Sequence, residues 1–529
     1  MLTLSTFLIL LLAGSAVTVA LTLFRPRFAV AGAAVTVAIT TLLWLVALVR
    51  LPLSYTTSAP LAPVAGFTWT WHVARPLWIL SLALFLLQIG ALLYLNTVAT
   101  AGKRPVPVQA LTVVLLGAAA HLSFWASSLP ALVAGWSLLA LFWGLGRWEH
   151  AGKSFNVEQA LGRAGFSLGA IFLLWLGAAT IPGPDETADA GLWPTLTTSL
   201  VLLAIVVQLA LAPLALWQTR RRHDRSNILL VLCIIPGAAG AALLLRLEAA
   251  SDIGLAFALP LTLAGLFALL WAARLGWSAA GGKGRLAPAL VVAQSGLVLL
   301  AGVWANPQAV VAEARVLLLG GALLALAAPG PAERDGEDSS DQRLAAVIRL
   351  VALAALLGLP LTSGFQGRAA LYGAWADSGR WLLIVVTALL HLPLAAAGLL
   401  EVRRSLQPVT LSGQLDRSKL PSIVGLILPA VGLLGVAALA EASIPAWLAV
   451  LLPLALAWPL ARFLPEAEEV ERTMRQAFQL RLPSAGAGAF VRRAGHGAGV
   501  ALREAALILE GEGGLLWLLI FLVILWLAR

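Results

Sequence analysis

Two histidines stand inside strongly apolar stretches, His121 in "GAAAHLSFW" and His391 in "TALLHLPLA". Imidazole titrates near neutrality, so a buried histidine can take up a proton and pass it on. It can equally do no more than hydrogen-bond the backbone of a neighbouring helix, which is the simpler role. Gln294 and Ser295 are adjacent in another apolar run. They read as hydrogen-bonding glue between helices rather than as an ion path. Arg246 falls near the end of an apolar segment and is expected to snorkel to the interface. Glu401 lies beside Arg403 and Arg404, where an interfacial ion pair would contribute little.

Other chemistry is missing from the sequence. "AGGKGR" (280–285) sets a lysine among glycines but lacks the spacing and the following Ser or Thr of a phosphate-binding loop. There is no His-Glu-x-x-His and no paired cysteine ligand set, so neither a metal site nor a cofactor is expected. The single cysteine, Cys233, allows no intrachain disulfide and no iron–sulfur cluster. No catalytic residue is assigned.

The elements that must position these residues are membrane helices. Of 529 residues, 60% are apolar and 11% charged; a soluble domain carries about 25% charged residues. The apolar runs are close to the ~20 residues that cross a hydrocarbon core. Coarse spans fall at 2–24, 28–49, 76–98, 106–126, 129–146, 159–181, 192–217, 227–247, 253–273, 287–304, 310–329, 343–363, 380–402, 421–440, 445–464 and 514–528. This predicts an all-α integral membrane protein of about 16 transmembrane helices. The first span lacks a basic n-region and is followed by Arg25 and Arg27, so it reads as retained.

Loop charge gives an orientation. One alternate set of loops carries Arg25/Arg27, Lys103/Arg104, Arg147/Lys153/Arg163, Arg220–Arg222/Arg225, Lys283/Arg285, Arg334/Arg343, Arg403/Arg404/Arg417/Lys419 and the stretch Arg462–Arg503. The other set is poor in Lys and Arg, as in "PGPDETADAG" (182–191). The positive-inside rule puts the basic loops in the cytoplasm and both termini outside, in a bacterial inner membrane. The net charge of +10 is then a topology signal and implies no nucleic acid.

Two spans are interrupted. The seventh contains Pro213; in the twelfth Gly358, Pro360, Ser363 and Gly364 fall together. Proline removes a backbone donor, and freed backbone groups at membrane depth are tolerated only inside protein or beside water. Breaks five spans apart predict two inverted five-helix repeats with discontinuous helices 7 and 12.

Several segments resemble the antiporter-like membrane subunits of respiratory complex I, the Mrp cation/proton antiporters and related membrane hydrogenases. "LGLPLTSGFQGRAALYGAW" (357–375) is similar to that family's Gly-hydrophobic-Pro-Pro-x-x-Gly-Phe-x-x-Lys segment on its broken twelfth helix. "KGRLAPALVVAQSGLVLLAG" (283–302) and "LAPLALWQ" (211–218) resemble two further family stretches. So do "EQALGRAGFSLGAIFLLWLGAATI" (158–181) and "ILSLALFLLQIGALLYLNTVAT" (79–100), and all lie in the family's order.

The resemblance implies a buried Lys/Glu/His proton path, and this chain departs from it. The family's fifth-helix Glu matches Ser137. Its seventh-helix Lys matches Gln208, and the His after the seventh-helix Pro matches Ala215. The eighth-helix His and Lys fall at about Leu232 and Ala238. In the second half, family lysines match Arg315 and Arg368. Arginine keeps its proton in proteins and cannot relay one by titration.

The implied organisation is 1–105, helices 1–3; 106–250, the first repeat; 251–403, the second; 404–464, helices 14–15; and 514–529, a final span. Residues 465–513 would form a cytoplasmic-side amphipathic or lateral segment, or a plain linker. Its first 46 residues (465–510) would reach at most about 70 Å as a helix. The implied role is that of a non-catalytic subunit of a membrane oxidoreductase or translocase complex. Its partners would be other membrane subunits and the lipid bilayer, and its proton path would be largely lost. The alternatives are an active proton or cation translocator using His121 and His391, and a stand-alone secondary transporter.

Overall fold

A computed structural model describes residues 3–58, 68–100, 107–151, 169–176, 198–209, 234–249, 255–278, 286–304, 307–326, 339–405, 420–434 and 444–463. All of them belong to one unit, 1–464. Pro213, Ala215, Leu232, the 465–513 segment and the span at 514–528 lie outside the described residues.

The chain runs α1 (Leu4–Phe24), α2 (Pro26–Ala47), β1 (Leu53–Ser58), β2 (Thr68–Val73), α3 (Arg75–Thr100), α4 (Pro107–Trp125) and α5 (Leu129–Ala151). Helical stretches α6 (169–176) and α7 (Thr198–Leu209) follow. Then come α8 (Ile235–Ala249), α9 (Leu255–Ser278), α10 (Leu286–Trp304) and α11 (Pro307–Leu326). The last are α12 (Ser339–Leu357), α13 (Ser363–Asp377), α14 (Trp381–Ser405), α15 (Leu420–Val431) and α16 (Ile444–Phe463).

Among the described residues, eight helices are long and apolar enough to cross a membrane: α1–α4, α9–α11 and α14. Shorter apolar helices lie within α5, α7, α8, α12 and α16. The helical membrane fold read from the sequence is thus present. It also holds an antiparallel hairpin of β1 and β2, pairing Leu53 with Val73 through Ser58 with Thr68. That hairpin was not anticipated. It is anchored beyond α4, where Ser127 N–H donates to the Thr70 carbonyl and Ser128 Oγ accepts from Thr70 N–H.

Enclosure separates central from peripheral helices. In α11, 94% of the apolar window is buried inside protein, against 22% in α1. The outer faces of α1 and α2 expose Ile9, Leu12, Phe24, Leu42 and Val46, which suits lipid rather than water. Between helices in lipid, close van der Waals packing supplies the attraction, and small residues permit it. Where α3 meets α15, a Cβ on Gly90 would lie 2.4 Å from the Gly425 carbonyl oxygen, and one on Gly425 2.7 Å from that of Gly90. Neither position has room for a side chain.

The break in the twelfth span is real. The helix stops at Leu357, and Gly358 (φ 73°) and Leu361 (φ 71°) are both left-handed. A new helix begins at Ser363, capped by the Thr362 hydroxyl accepting from Phe365 N–H. A second irregularity, not foreseen, is a π-helical stretch, Val316–Gly320, inside α11 immediately after Arg315. Such stretches are frequent at functional sites. By contrast Pro260, Pro393, Pro429, Pro453 and Pro459 all sit within continuous helices.

Candidate functional site

The break and the π-stretch face one another. Arg368, one and a half turns into α13, is buried and directs its guanidinium back towards the end of α12. Nη1 donates to the Leu357 carbonyl and Nη2 to the Leu356 carbonyl. Opposite α13, on α11, Glu313 is fully buried. Its Oε2 accepts from Gln294 Nε2, which also donates to the Glu313 carbonyl at 3.0 Å. Its Oε1 has no hydrogen-bond partner among the described residues. A Cβ on Gly367 would lie 2.5 Å from that oxygen, so the carboxylate rests directly against the bare backbone of α13.

The polar contacts continue to either side. Ser295 Oγ donates to the Leu209 carbonyl at 3.3 Å, tying α10 to α7. Beyond Arg368, His391 Nδ1 contacts the Thr387 carbonyl on its own helix at 2.8 Å, which makes Nδ1 the donor. Its Nε2 is buried and has no hydrogen-bond partner among the described residues. His391, Arg368 and Tyr372 line a cavity of about 10 Å³ with Leu357, Ala449 and Pro453, close to the smallest space that holds one water.

No protein-family model matches the sequence, and no curated protein matches it either. Solved structures do. A chain of the Mrp complex from Dietzia sp. DQ12-45-1b superposes with a TM-score of 0.69 at 16% identity, covering 99% of this chain and 62% of that one. This chain therefore spans less than two thirds of that chain's length. A chain of the membrane-bound sulfane sulfur reductase, an archaeal respiratory membrane complex, gives 0.65 at 16% identity over 99% of both. Respiratory complex I from Thermus thermophilus gives 0.57 at 19% identity, covering 80% of this chain and 96% of that one. This chain shares its fold with these chains of three membrane complexes.

Within this shared fold, the positions singled out in the sequence scatter. Arg368 and His391 come together at the break, with Gly358 and Pro360 in its turn and Gly364 in the first turn of α13. Arg315 is half-buried, with Nη2 3.4 Å from Gln366 Oε1. Gln208 is buried, with no partner for its Oε1 among the described residues, and Ala238 is fully buried on α8. Ser137 is exposed, and its hydroxyl turns back to the Val133 carbonyl at 2.7 Å.

His121 belongs to another cluster. Its Nε2 lies 3.3 Å from Gln88 Oε1 on α3, and its ring stacks on Phe85 at 3.9 Å. Gln88 Nε2 in turn donates to the Val113 carbonyl at 3.3 Å. The partner of His121 is thus a side chain of a neighbouring helix rather than its backbone. Arg246 donates to the Phe124 carbonyl and, at 3.4 Å, to the carbonyl of His72 on β2. Glu401 pairs with Arg349 across α14 and α12.

The residue that the sequence reading missed is Glu313. The signal was present: a carboxylate inside the predicted span 310–329, two residues before Arg315. Charges inside a span are costly and mark interior positions.

Proposed function

We propose that this chain is an antiporter-like membrane-arm subunit of a multi-subunit assembly of the complex I-like or Mrp-like kind. It lies in a bacterial inner membrane with both termini outside, and its main role is structural or coupling. The observation that carries this reading is the set of side chains where the family keeps its first-half path. Ser137, Gln208, Ala215 and Ala238 hold no titratable group, and a proton relay needs groups that gain and lose protons. The two inverted repeats remain part of the reading. The similarity to subunits of three membrane complexes supports the partner class.

The test is proton flux through the assembled complex in proteoliposomes. Flux should survive His391→Ala and Glu313→Gln with the complex intact. Co-purification with other membrane subunits is the accompanying expectation; a chain that purifies alone and transports a substrate by itself would overturn the reading.

One observation favours a second reading, an active translocator working through the second half. The free Nε2 of His391 lies beside a cavity shared with Arg368 and Tyr372. Loss of flux in His391→Ala, with assembly unchanged, would select it.

A further inference from the structure

A helix that ends inside a membrane protein leaves its last four carbonyls without intrahelical donors, and a buried polar group left unpaired is costly. At the end of α12 every one of the four can be traced. Ala354 accepts from Leu359 N–H at 2.8 Å, and Ala355 from Gly358 N–H at 3.1 Å. Those two belong to the turn itself. Among the described residues Leu356 and Leu357 have no backbone donor there, and their donors are the two terminal nitrogens of Arg368. The far side of the break is also accounted for: Ser363 N–H donates to the Leu433 carbonyl at 2.7 Å, and Thr362 bridges to Leu434.

The fit around the guanidinium is specific. A Cβ on Gly358 would meet Arg368 Nη1 at 2.5 Å and Cζ at 2.8 Å. The glycine that makes the turn therefore also makes the guanidinium's seat. A planar fork reaches two adjacent carbonyls at once; an ammonium on a flexible stem is a point charge without that fork. The cation also stands at a helix C-terminus, where the backbone dipole favours positive charge. Across the helix, the fully buried Glu313 carboxylate lies against Gly367, next in sequence to Arg368.

We propose that Arg368 is the positioning residue of the helix break: its fork holds the crossing from Leu356 to Thr362 in one conformation. The proposal stands on the carbonyl accounting and holds whether or not the chain moves ions.

The test is amide hydrogen exchange, read by mass spectrometry, on the full chain with its co-purifying subunits in lipid nanodiscs. In Arg368→Lys and Arg368→Gln, the amides of Gly358, Leu359, Thr362 and Ser363 should exchange on the order of tenfold faster or more. Those of α10 should not change. Native exchange at the break in a folded Arg368→Gln variant would overturn the proposal. So would full rescue by lysine, which would mean that a point charge suffices, or uniform acceleration across α10–α14, which would mean a general packing role. Should neither variant accumulate, the native chain decides. Break amides as slow as those of α13 support the clamp, and fast exchange there refutes it.

Discussion

The guanidinium of Arg368 occupies the space that a side chain on Gly358 would fill, with Nη1 2.5 Å from the ideal Cβ position. Gly358→Ala therefore combines two costs. A left-handed alanine loses about 1–2 kcal/mol, and displacing a charged donor from its carbonyl loses about 1.5–3 kcal/mol. Thermal unfolding in detergent or nanodiscs should show a clear drop for this variant. A melting curve that overlays the native one would mean that the guanidinium has another place to go.

Gly367 makes the matching prediction on the opposite side of α13. Its Cβ would stand 2.5 Å from Glu313 Oε1, so Gly367→Ala must push the carboxylate off its seat and strain its bond to Gln294. Overpacking of this kind costs about 1–3 kcal/mol. Gly169→Ala is the control, since no atom of the described residues lies within 4 Å of its Cβ position. If the two alanine variants melt together, the close approach of α11 to α13 is not as tight as described.

The α3–α4 contact offers a separate test of the relay role for His121. Gln88 holds His121 and the Val113 carbonyl together, and its amide fills the notch left by Gly117, whose Cβ would lie 1.7 Å from Gln88 Nε2. Gln88→Ala should lower stability by about 1–3 kcal/mol, the range for stranding a buried polar partner. Flux through the assembled complex should not change, because the ring is a structural clasp. A flux defect in a stable Gln88→Ala protein would return His121 to the candidate relay groups.

Much of this was legible before any coordinates. Apolar runs of bilayer length locate the spans, and Gly358, Pro360 and Gly364 mark the break in the twelfth. What was hidden is orientation about the helix axis. Burial on every side of α10 and α11 erases the amphipathic periodicity that would tell Glu313 from a surface charge. Likewise, that Arg368 would turn back onto the Leu356 and Leu357 carbonyls depends on a left-handed turn at Leu361, which no residue preference predicts. The hairpin was passed over because strands of six residues between membrane spans carry too little pattern to stand out from a loop. Its alternation, "TWTWHV" (68–73), was nonetheless there.

Ser137 provides the last prediction, and it runs against the simplest repair of the family pattern. The resemblance places a carboxylate at this position, so Ser137→Glu looks like a restoration. In the structure Trp136 is the residue that points inward, buried to 1% exposure, while Ser137 lies on the exposed side of α5. Glutamate there would face lipid or a neighbouring subunit rather than the polar contacts around Gln294 and Arg368. A charge on a lipid-facing helix surface at mid-span costs about 2–3 kcal/mol on insertion scales. Ser137→Glu should therefore reduce yield or loosen the assembly and should add no proton flux. Trp136→Glu is the informative comparison, since its carboxylate would enter the packed interior. Enhanced flux from Ser137→Glu, in an assembly of native stability, would show that α5 is rotated relative to the arrangement described and that its outer face meets a conducting path.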